Sequence, residues 1–547
     1  MGLKVKFDLL VQKIIDKVTG SGVMQEENTV EGEKFVFPQM PEAIRRAGAE
    51  GAVLLKNNCV LPVGDEVVSV FGRCQRDYFY VGYGSGGDVN QPYEVNLIDG
   101  LRNNGVNVNK SLADIYEKWC TANPVSHGFW GHWPMNYPEM KLDSDIVNDA
   151  KANSEIAIVV IGRAAGEDRE NKLIKGSYYL TDDEVKMLDL VTDAFDKVVV
   201  IMNCGNIIDM SWSVKYGDKI SAVIYAWQCG MESGNALADI ISGKVNPSGR
   251  LTDTIALTYD DYPSSAHFGN KKFNDYSEDI FVGYRYFETF DKDSVLYPFG
   301  YGLSYTTFDI TCNSFKFDDK IKVCVNVKNT GNVEGKEVVQ LYVKAPKGKL
   351  YKAKRSLVGF CKTKALAPNE EQEIAFEIDK YSISSYDEAE ASYVLEQGNY
   401  AFYVGNNVRN AEKIGEAEFE YEIIERISNV CPVKQPIVLL TGELVKPKAD
   451  NLKMRILSNL PKEIGYNDKV EYHFDDVKSG KITLDEFISQ LTEFELEGLS
   501  RGIGYMNSEH GIVGNAGSFG GTTAALLELG VPPIITTDGP AGIRIKK

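Results

Sequence analysis

Four short, unbroken apolar runs mark the first half of the chain. They cover residues 67–71, 156–161, 198–202 and 221–225. Strands buried on both faces of a parallel sheet read as continuous apolar runs, so this pattern predicts interior strands. Amphipathic stretches between the runs predict helices, one capped by Thr181-Asp182-Asp183-Glu184 and another over residues 235–241. The alternation predicts an open, mostly parallel α/β sandwich over residues 40–265.

The helical signal stops at about residue 305 and a period-two pattern replaces it. Residues 321–327 alternate apolar and polar side chains, and Asn329-Thr330-Gly331-Asn332 is typical of a turn. Further strand patterns follow at 338–343 and 398–404. Short strands separated by Gly/Asn turns predict an immunoglobulin-like β-sandwich over residues 305–425.

The last part of the chain predicts a linker and the start of another α/β structure. Residues 426–452 contain several prolines, and residues 453–530 are rich in helical patterns. A short apolar run then breaks at Asp538-Gly539-Pro540, which predicts a buried strand with Asp538 and Arg544 at its carboxyl end. Parallel α/β enzymes place their chemistry at that end of a strand. The predicted segments are 1–39 (N-terminal segment), 40–265, 266–304 (connector), 305–425, 426–452 (linker) and 453–547.

Composition narrows the class of protein. A chain of 547 residues is too long for one core and predicts several domains. The net charge of −19 excludes nucleic acid and anionic membrane surfaces as expected partners, because their phosphates would be repelled. Nine scattered cysteines without CxxC spacing predict reduced thiols, without a zinc site or a disulfide framework. No cofactor is expected. Asp8 and Lys13 interrupt any secretory apolar region, and no run reaches the length of a membrane span, so a cytoplasmic location is expected.

The loop at 162–171 follows an interior strand and carries a candidate catalytic acid. Arg163 and Arg169 bracket Glu167 in a segment whose glycines permit a tight bend. A carboxyl on such a loop, at the carboxyl end of a buried strand, suits a general acid. The alternative is a solvated charged loop, which is what most charged runs are.

Two other loops carry weaker signals. The glycine-rich residues 83–88 lack both nucleotide-binding patterns, which favours a loop whose backbone approaches a ligand or another domain. His127 and His132 lie on an aromatic-rich segment without a carboxylate or cysteine at ligand spacing, so no metal site is predicted. Trp133 on this segment suits either a sugar face or core packing.

Five segments together form a pattern that no single one would establish. They read AEGAVLLKNN at 49–58 with Leu61-Pro62, GNALADI at 234–240, VNPSGRL at 245–251, FVGYRY at 281–286 and YPFGYGLSYT at 297–306. The combination resembles glycoside hydrolase family 3, whose members are mostly β-glucosidases. The resemblance extends over nearly the whole chain after about residue 35.

The resemblance implies a fold and a set of roles. It implies an α/β sandwich, then a fibronectin type III-like domain, then the beginning of a (β/α)₈ barrel, in the permuted order of one subgroup. It places the acid/base at Glu167, with Glu170 as the fallback because the local motif is two residues shorter than usual. Asp538 and Arg544 match residues that hold sugar hydroxyls, and Ser85 matches a loop that reaches toward the site. Arg169 and Trp133 complete the candidate substrate-binding set.

The family's aspartate nucleophile, in a Ser-Asp-Trp-like segment, has no counterpart in this sequence. A barrel needs roughly 250 residues, and about 95 follow the linker. The resemblance therefore implies a barrel truncated after its first strand, with the rest supplied by downstream sequence or by a second chain. The segment 453–547 is then expected to be the least stable part of the protein.

The resemblance implies a retaining β-glucosidase acting on β-glucosides or oligosaccharides, incomplete in this chain. The alternatives are a non-catalytic carbohydrate-binding or interaction protein derived from such an enzyme, and a hydrolase of another sugar, above all a β-xylosidase. The sequence leaves glucose against xylose undecided. It also leaves the oligomeric state open, a homo-oligomer included.

Overall fold

The computed structural model describes residues 6–11, 13–14, 37–83, 91–129, 132–166, 171–427, 433, 435–446, 453, 456–457, 460–504, 508–512 and 515–537. The chain divides into two compact units. The first comprises Met1–Val81, Gln91–Ala165 and Arg169–Asp450, and the second comprises Gly82–Asn90, Gly166–Asp168 and Asn451–Lys547. None of the described helices has the length and apolar character needed to cross a membrane.

The first unit begins with an α/β domain built on a five-stranded sheet of order β1-β5-β4-β3-β2. Strands β2 to β5 run parallel, and β1 is antiparallel to β5. The elements of this region are α1 (Met40–Gly51), β1 (Val53–Asn57), β2 (Val68–Phe71), α2 (Leu97–Asn103), α3 (Lys110–Ala122), α4 (Ser144–Ala152), β3 (Ile156–Arg163), α5 (Asp182–Ala194), β4 (Val198–Cys204), α6 (Ser211–Tyr216), β5 (Ala222–Tyr225), α7 (Ser233–Ile241), β6 (Ile255–Ala256), α8 (Tyr284–Phe290) and β7 (Val295–Tyr297).

The apolar runs are strands β2, β3, β4 and β5 of this sheet. Strands β3, β4 and β5 are interior, as predicted, whereas β2 lies at the edge of the sheet, although all four of its residues are buried. Every residue of β3 and of β4 is buried, because helices cover both faces. Strand β1 was not predicted from the pattern. Its run is short and directly follows α1, and its last two residues are polar and half-buried.

Helix α5 begins where the capping sequence predicts. The Thr181 side chain accepts a hydrogen bond from the Glu184 backbone N–H, and the Glu184 carboxylate accepts one from the Thr181 N–H. These reciprocal bonds satisfy donors that the first turn would otherwise leave unpaired. Helix α7 is also confirmed and starts two residues earlier than predicted.

The β-rich part of the first unit is the predicted fibronectin type III-like sandwich. Its two main antiparallel sheets have the orders β11-β10-β15-β16 and β12-β9-β8, and a third small sheet has the order β13-β14-β17. In β9 the apolar side chains Ile321, Val323, Val325 and Val327 all point into the core. The strands are β8 (Phe308–Phe317), β9 (Ile321–Asn329), β10 (Val338–Lys344), β11 (Ser356–Lys362), β12 (Glu371–Ile378), β13 (Ser385–Asp387), β14 (Ser392–Leu395), β15 (Gly398–Gly405), β16 (Glu412–Phe419) and β17 (Glu422–Arg426).

The predicted linker contains a short hairpin, formed by β18 (Ile437–Val438) and β19 (Leu444–Val445). The second unit then carries the α-rich C-terminal segment. Its elements are α9 (Phe474–Lys478), α10 (Leu484–Ser489), α11 (Glu493–Ser500), β20 (Gly517–Gly520), α12 (Ala524–Glu528) and β21 (Pro533–Thr536).

Strand β21 corrects one prediction from the sequence. It pairs antiparallel with β20, and its last three residues are exposed, including Ile534 and Ile535. The apolar run predicted a buried strand in a parallel setting, which was wrong for these residues. Burial on both faces needs flanking strands and covering helices, and β20 is its one strand partner within the described part of the chain. Asp538 and Arg544, which follow this strand, lie outside the described residues.

We expect the C-terminal segment to be the first part of the protein to exchange its amide hydrogens. Its buried cluster contains Phe487, Leu491, Leu526 and Val531, whereas the cluster around the five-stranded sheet contains 30 buried residues. Few buried apolar contacts mean a low free energy of local opening. Hydrogen exchange followed by mass spectrometry should find residues 474–500 less protected than β3. Equal protection of the two regions would contradict the prediction.

Candidate functional site

The carboxyl ends of the parallel strands β2, β3, β4 and β5 lie along one edge of the sheet. The loops that leave this edge include the glycine-rich segment and the candidate acid loop, which follow β2 and β3. Ligands of open α/β sheets bind at this edge, because loops from several strands converge there. The edge is therefore where the α/β domain would contribute to a catalytic site.

The stems of the two loops pair with each other. Tyr83 and Gly166 form an isolated parallel β-bridge. Gly166 has φ of +149°, and a Cβ at this position would lie 2.2 Å from the Tyr83 carbonyl oxygen. Only glycine permits this close approach. The bridge brings together the starts of two segments that lie more than 80 residues apart in sequence and that contain Ser85 and Glu167.

The far end of the acid loop is also held. The Asn171 side-chain N–H donates to the Ile207 carbonyl oxygen at 2.7 Å, and the Asn206 amide donates to the Asn171 side-chain oxygen at 2.7 Å. Gly166 and Asn171, the described residues on either side of 167–170 in the sequence, therefore each have defined partners. Glu167, its fallback Glu170, Arg169 and Ser85 themselves lie outside the described residues, so their roles stay predictions.

Arg163, which precedes the acid loop in the sequence, lies in the interior of the α/β domain. Its guanidinium is fully buried and makes two 2.7 Å hydrogen bonds with the two carboxylate oxygens of Glu184. It also donates to the carbonyl oxygens of Gly162, Ser177 and Tyr179. Burial lowers the pKa of Arg163, because it disfavours the charged guanidinium. The charge and the hydrogen bonds of the Glu184 carboxylate together outweigh this effect, so the pKa of Arg163 stays above its usual value. Arg163 therefore ties the end of β3 to the start of α5.

Sequence reasoning missed this ion pair, although both members carried a local signal. Arg163 ends a continuous apolar strand, where a charged side chain is unusual, and Glu184 occupies the third position of a capping box. The separation of 21 residues gave no indication that the two would meet.

Asn203, at the carboxyl end of β4, fixes the segment that leads into the glycine-rich loop. Its side-chain oxygen accepts a hydrogen bond from the Phe79 N–H at 2.7 Å, and its side-chain N–H group donates to the carbonyl oxygens of Phe79 and Trp227. Asn203 is completely buried, so these bonds replace its contacts with water. One amide thereby holds loops that follow two different strands.

Trp133 is 6 % exposed. A ring this buried offers little area to a sugar, which favours the packing alternative, and its substrate role stays a prediction. On the same segment, the ring of Tyr137 stacks on that of Phe79, with centroids 4.5 Å apart. The Tyr137 hydroxyl oxygen lies 3.2 Å from His127 Nδ1. The described part of the chain contains no cluster of three or more His, Cys, Asp or Glu residues able to hold a metal ion.

Glu139 is a half-buried carboxylate on the segment that follows Trp133, and no sequence motif marks it. It accepts 2.7 Å hydrogen bonds from the backbone N–H groups of Arg73 and Met140. Burial raises the pKa of Glu139 to about 7, against the opposing effect of these two donors. Its backbone bonds tie the segment to the loop after β2.

We expect Glu139 to make the protein less stable as the pH rises from about 4.5 to 7. Over this range the folded protein keeps a proton that the unfolded chain releases, so the free energy of unfolding falls and then levels off. The fall should amount to at most about 3 kcal/mol. Glu139→Gln, which mimics the neutral acid, should remove this part of the pH dependence.

Urea titrations between pH 5 and 8, followed by tryptophan fluorescence, measure the effect. All five tryptophans lie between residues 119 and 227, so the signal reports on the α/β domain. Glu117→Gln, at an exposed glutamate on α3, is the control and should leave the pH dependence of the wild type unchanged. If Glu139→Gln and the wild type showed the same pH dependence, the pKa of Glu139 would not be raised in the folded protein.

Comparisons with known proteins agree with this architecture. The chain matches the family models Glycosyl hydrolase family 3 C-terminal domain over residues 52–305 and Fibronectin type III-like domain over residues 337–408. It is 42% identical to a beta-glucosidase of Ruminococcus albus, covering 94% of this chain and 55% of that protein. It is 37% identical to beta-glucosidase A of Butyrivibrio fibrisolvens, covering 91% of this chain and 68% of that protein.

Two solved structures to which the chain is similar are also beta-glucosidases. A beta-glucosidase from Paenibacillus barengoltzii superposes with a TM-score of 0.86 at 43% identity, over 94% of this chain and 59% of that one. Beta-glucosidase 3B from Thermotoga neapolitana, in complex with glucose, gives a TM-score of 0.63 at 35% identity, over 69% of this chain and 54% of that one. The chain thus spans little more than half the length of most of these relatives. From the two domain matches and the extent of these similarities, we conclude that the chain belongs to glycoside hydrolase family 3.

Proposed function

We propose that this chain is part of a retaining β-glucosidase that removes terminal β-D-glucosyl residues from β-glucosides or oligosaccharides. The observation that carries the proposal is the similarity of 94% of the chain to a beta-glucosidase at 42% identity. The paired stems Tyr83 and Gly166 support it, because they bring together the starts of the two loops that contain Ser85 and Glu167.

In the proposed mechanism Glu167 is the acid/base. It protonates the glycosidic oxygen as the bond to the sugar breaks, and in the second step it removes a proton from the attacking water. A second carboxylate about 5 Å away attacks the anomeric carbon, as retention requires. We assign that nucleophile to polypeptide outside these 547 residues, since the sequence has no Ser-Asp-Trp-like segment.

The remaining candidates bind the sugar. Asp538 would accept hydrogen bonds from sugar hydroxyls, and Arg544 would donate hydrogen bonds to their oxygens. In the sequence, Ser85 follows Tyr83 in the glycine-rich segment, and Arg169 follows Gly166 in the acid loop. Both side chains would contact the substrate from the α/β domain. None of these roles requires a metal or a cofactor.

We expect the purified 547-residue chain to show no turnover of p-nitrophenyl β-D-glucoside on its own. A general acid contributes only about 10²- to 10⁴-fold, and the double displacement cannot occur without the second carboxylate. The test adds a polypeptide that carries the rest of the barrel, or uses a chain extended by it, which should restore release of p-nitrophenol.

A parallel assay with p-nitrophenyl β-D-xyloside distinguishes the two sugars in the completed enzyme. A higher kcat/KM for the glucoside supports the proposal, and a preference for the xyloside would replace glucosidase by xylosidase. Robust hydrolysis by homogeneous 547-residue protein would overturn the assignment of the nucleophile to other polypeptide.

A further inference from the structure

One buried side chain binds both ends of the connection between β3 and α5, residues 164–181, which we call the β3–α5 loop. Arg163 is the last residue of β3, directly before this loop. Its guanidinium donates to the carbonyl oxygens of Ser177 at 3.0 Å and of Tyr179 at 3.2 Å, near the end of the loop. It also donates to the carbonyl oxygen of Gly162 at 2.7 Å, within β3. The strand that enters the loop and the segment that leaves it therefore meet at Arg163.

The guanidinium has an acceptor for each of its five N–H groups. Three acceptors are these backbone carbonyl oxygens, and the other two are the carboxylate oxygens of Glu184, both at 2.7 Å. Arg163 is completely buried, so water does not compete for these bonds. A planar fork of donors with every bond made has one orientation. The carbonyl groups of Ser177 and Tyr179 are consequently fixed relative to the end of β3.

Hydrogen bonds within the loop continue from Ser177 toward the candidate acid. The Ser177 hydroxyl accepts a hydrogen bond from the Lys172 N–H at 2.9 Å, and the Lys172 carbonyl oxygen accepts one from the Tyr178 N–H at 3.1 Å. Lys172 is next to Asn171, the first described residue after the segment 167–170 that contains the candidate acid. The contacts of Arg163 thus reach the described residues that follow this segment.

Stability by itself does not account for this arrangement. A buried ion pair is often no more stabilising than apolar side chains of similar volume, because both charges lose their hydration. Apolar side chains would leave the three carbonyl oxygens without donors, whereas the guanidinium binds all of them in one geometry. What Arg163 specifically supplies is a fixed conformation of the loop.

We propose that Arg163 is a positioning residue for the general acid, acting through the β3–α5 loop. The proposal rests on the proposed function, in which Glu167 of this loop protonates the leaving group. A general acid must lie within hydrogen-bond reach of the oxygen that it protonates. Displacement of a reacting group by about 1 Å can lower a rate by on the order of 10²-fold, so a loosened loop should slow proton transfer.

The first test is Arg163→Lys in the completed enzyme. Lysine keeps the positive charge opposite Glu184, but its compact ammonium has three donors and cannot bind the five acceptors. The kcat/KM for cellobiose should fall by roughly tenfold or more. The kcat/KM for 2,4-dinitrophenyl β-D-glucoside should change by less than about twofold, because this leaving group departs without a proton. A merely structural role would lower both values equally, since it would reduce the amount of folded enzyme.

The second test needs no activity and uses the 547-residue chain. Hydrogen exchange followed by mass spectrometry should find residues 171–181 exchanging roughly tenfold faster in Arg163→Lys, the effect of losing one hydrogen bond to a charged group. Glu337→Gln is the matched control, because Glu337 is buried and forms an ion pair with Arg250. It should leave the exchange of residues 171–181 and the ratio of the two kcat/KM values as in the wild type.

Circular dichroism checks that each variant is folded. Glu184→Asp keeps both charges but withdraws the carboxylate from the guanidinium, so it should give the same pattern and keeps the proposal falsifiable if Arg163→Lys fails to fold. Equal losses on both substrates, no loss on cellobiose, or unchanged exchange of residues 171–181 in a folded variant would overturn the positioning role.

Glu167→Ala, assayed on the same two substrates, separates this proposal from the proposed function. Dependence on the leaving group in Glu167→Ala but not in folded Arg163→Lys would overturn the positioning role alone. Absence of that dependence in Glu167→Ala would overturn the assignment of the acid itself, and the positioning role with it.

Discussion

Glu167→Ala in the completed enzyme is expected to slow cellobiose hydrolysis by about 10²- to 10⁴-fold. Glucose is a poor leaving group, so cleavage of cellobiose needs a proton from the acid. An activated phenol leaves without that proton, so formation of the glycosyl-enzyme from 2,4-dinitrophenyl β-D-glucoside should be largely spared. The effect should therefore depend on the leaving group, which loss of folding would not produce.

Azide separates the two steps of this reaction. Without a general base the glycosyl-enzyme is hydrolysed slowly, and azide attacks it without needing a base, so added azide should raise the rate of Glu167→Ala and yield glucosyl azide. Glu170→Ala is the matched control, three residues along the same loop. Equal losses on both substrates without an azide effect would remove Glu167 from the role. The same pattern in Glu170→Ala alone would transfer the role to Glu170.

Glu184→Gln is expected to destabilise the α/β domain by about 3–5 kcal/mol. The change keeps an amide that can still complete the capping box of α5 but removes the charge that neutralises Arg163. Arg163 is completely buried, so its charge would be left without compensation. Urea unfolding followed by the five tryptophans measures the loss of stability.

An exposed ion pair of the same domain is the control. Lys219 Nζ and Asp193 Oδ1 lie 2.7 Å apart, and the two side chains are 57% and 69% exposed. Asp193→Asn should lower the free energy of unfolding by no more than about 1 kcal/mol. Arg163→Met combined with Glu184→Gln removes both charges, keeps an acceptor for the Thr181 N–H, and should recover part of the stability lost in Glu184→Gln alone. Equal losses from the exposed and the buried pair would show that Arg163 is not held as described.

Each feature of the fold that was predicted correctly rests on a local signal. The unbroken apolar runs marked β3 and β4, because a strand that is buried on both faces has no solvent-facing position for a polar side chain. Period-two alternation marked β9, and the sequence from Thr181 to Glu184 marked the start of α5. The family assignment likewise rests on short segments of sequence and is confirmed by the domain matches.

The order of the α/β and fibronectin type III-like domains and the type of most of their main elements follow from the sequence alone. The tertiary structure decided which distant groups meet: Arg163 with Glu184, Tyr83 with Gly166, and Asn203 with Phe79 and Trp227. It also decided that β21 is exposed, although its apolar run predicts burial. The reason is physical. Helix capping and apolar periodicity act between residues close in the chain, whereas burial and ion pairing depend on which surfaces the whole fold brings together.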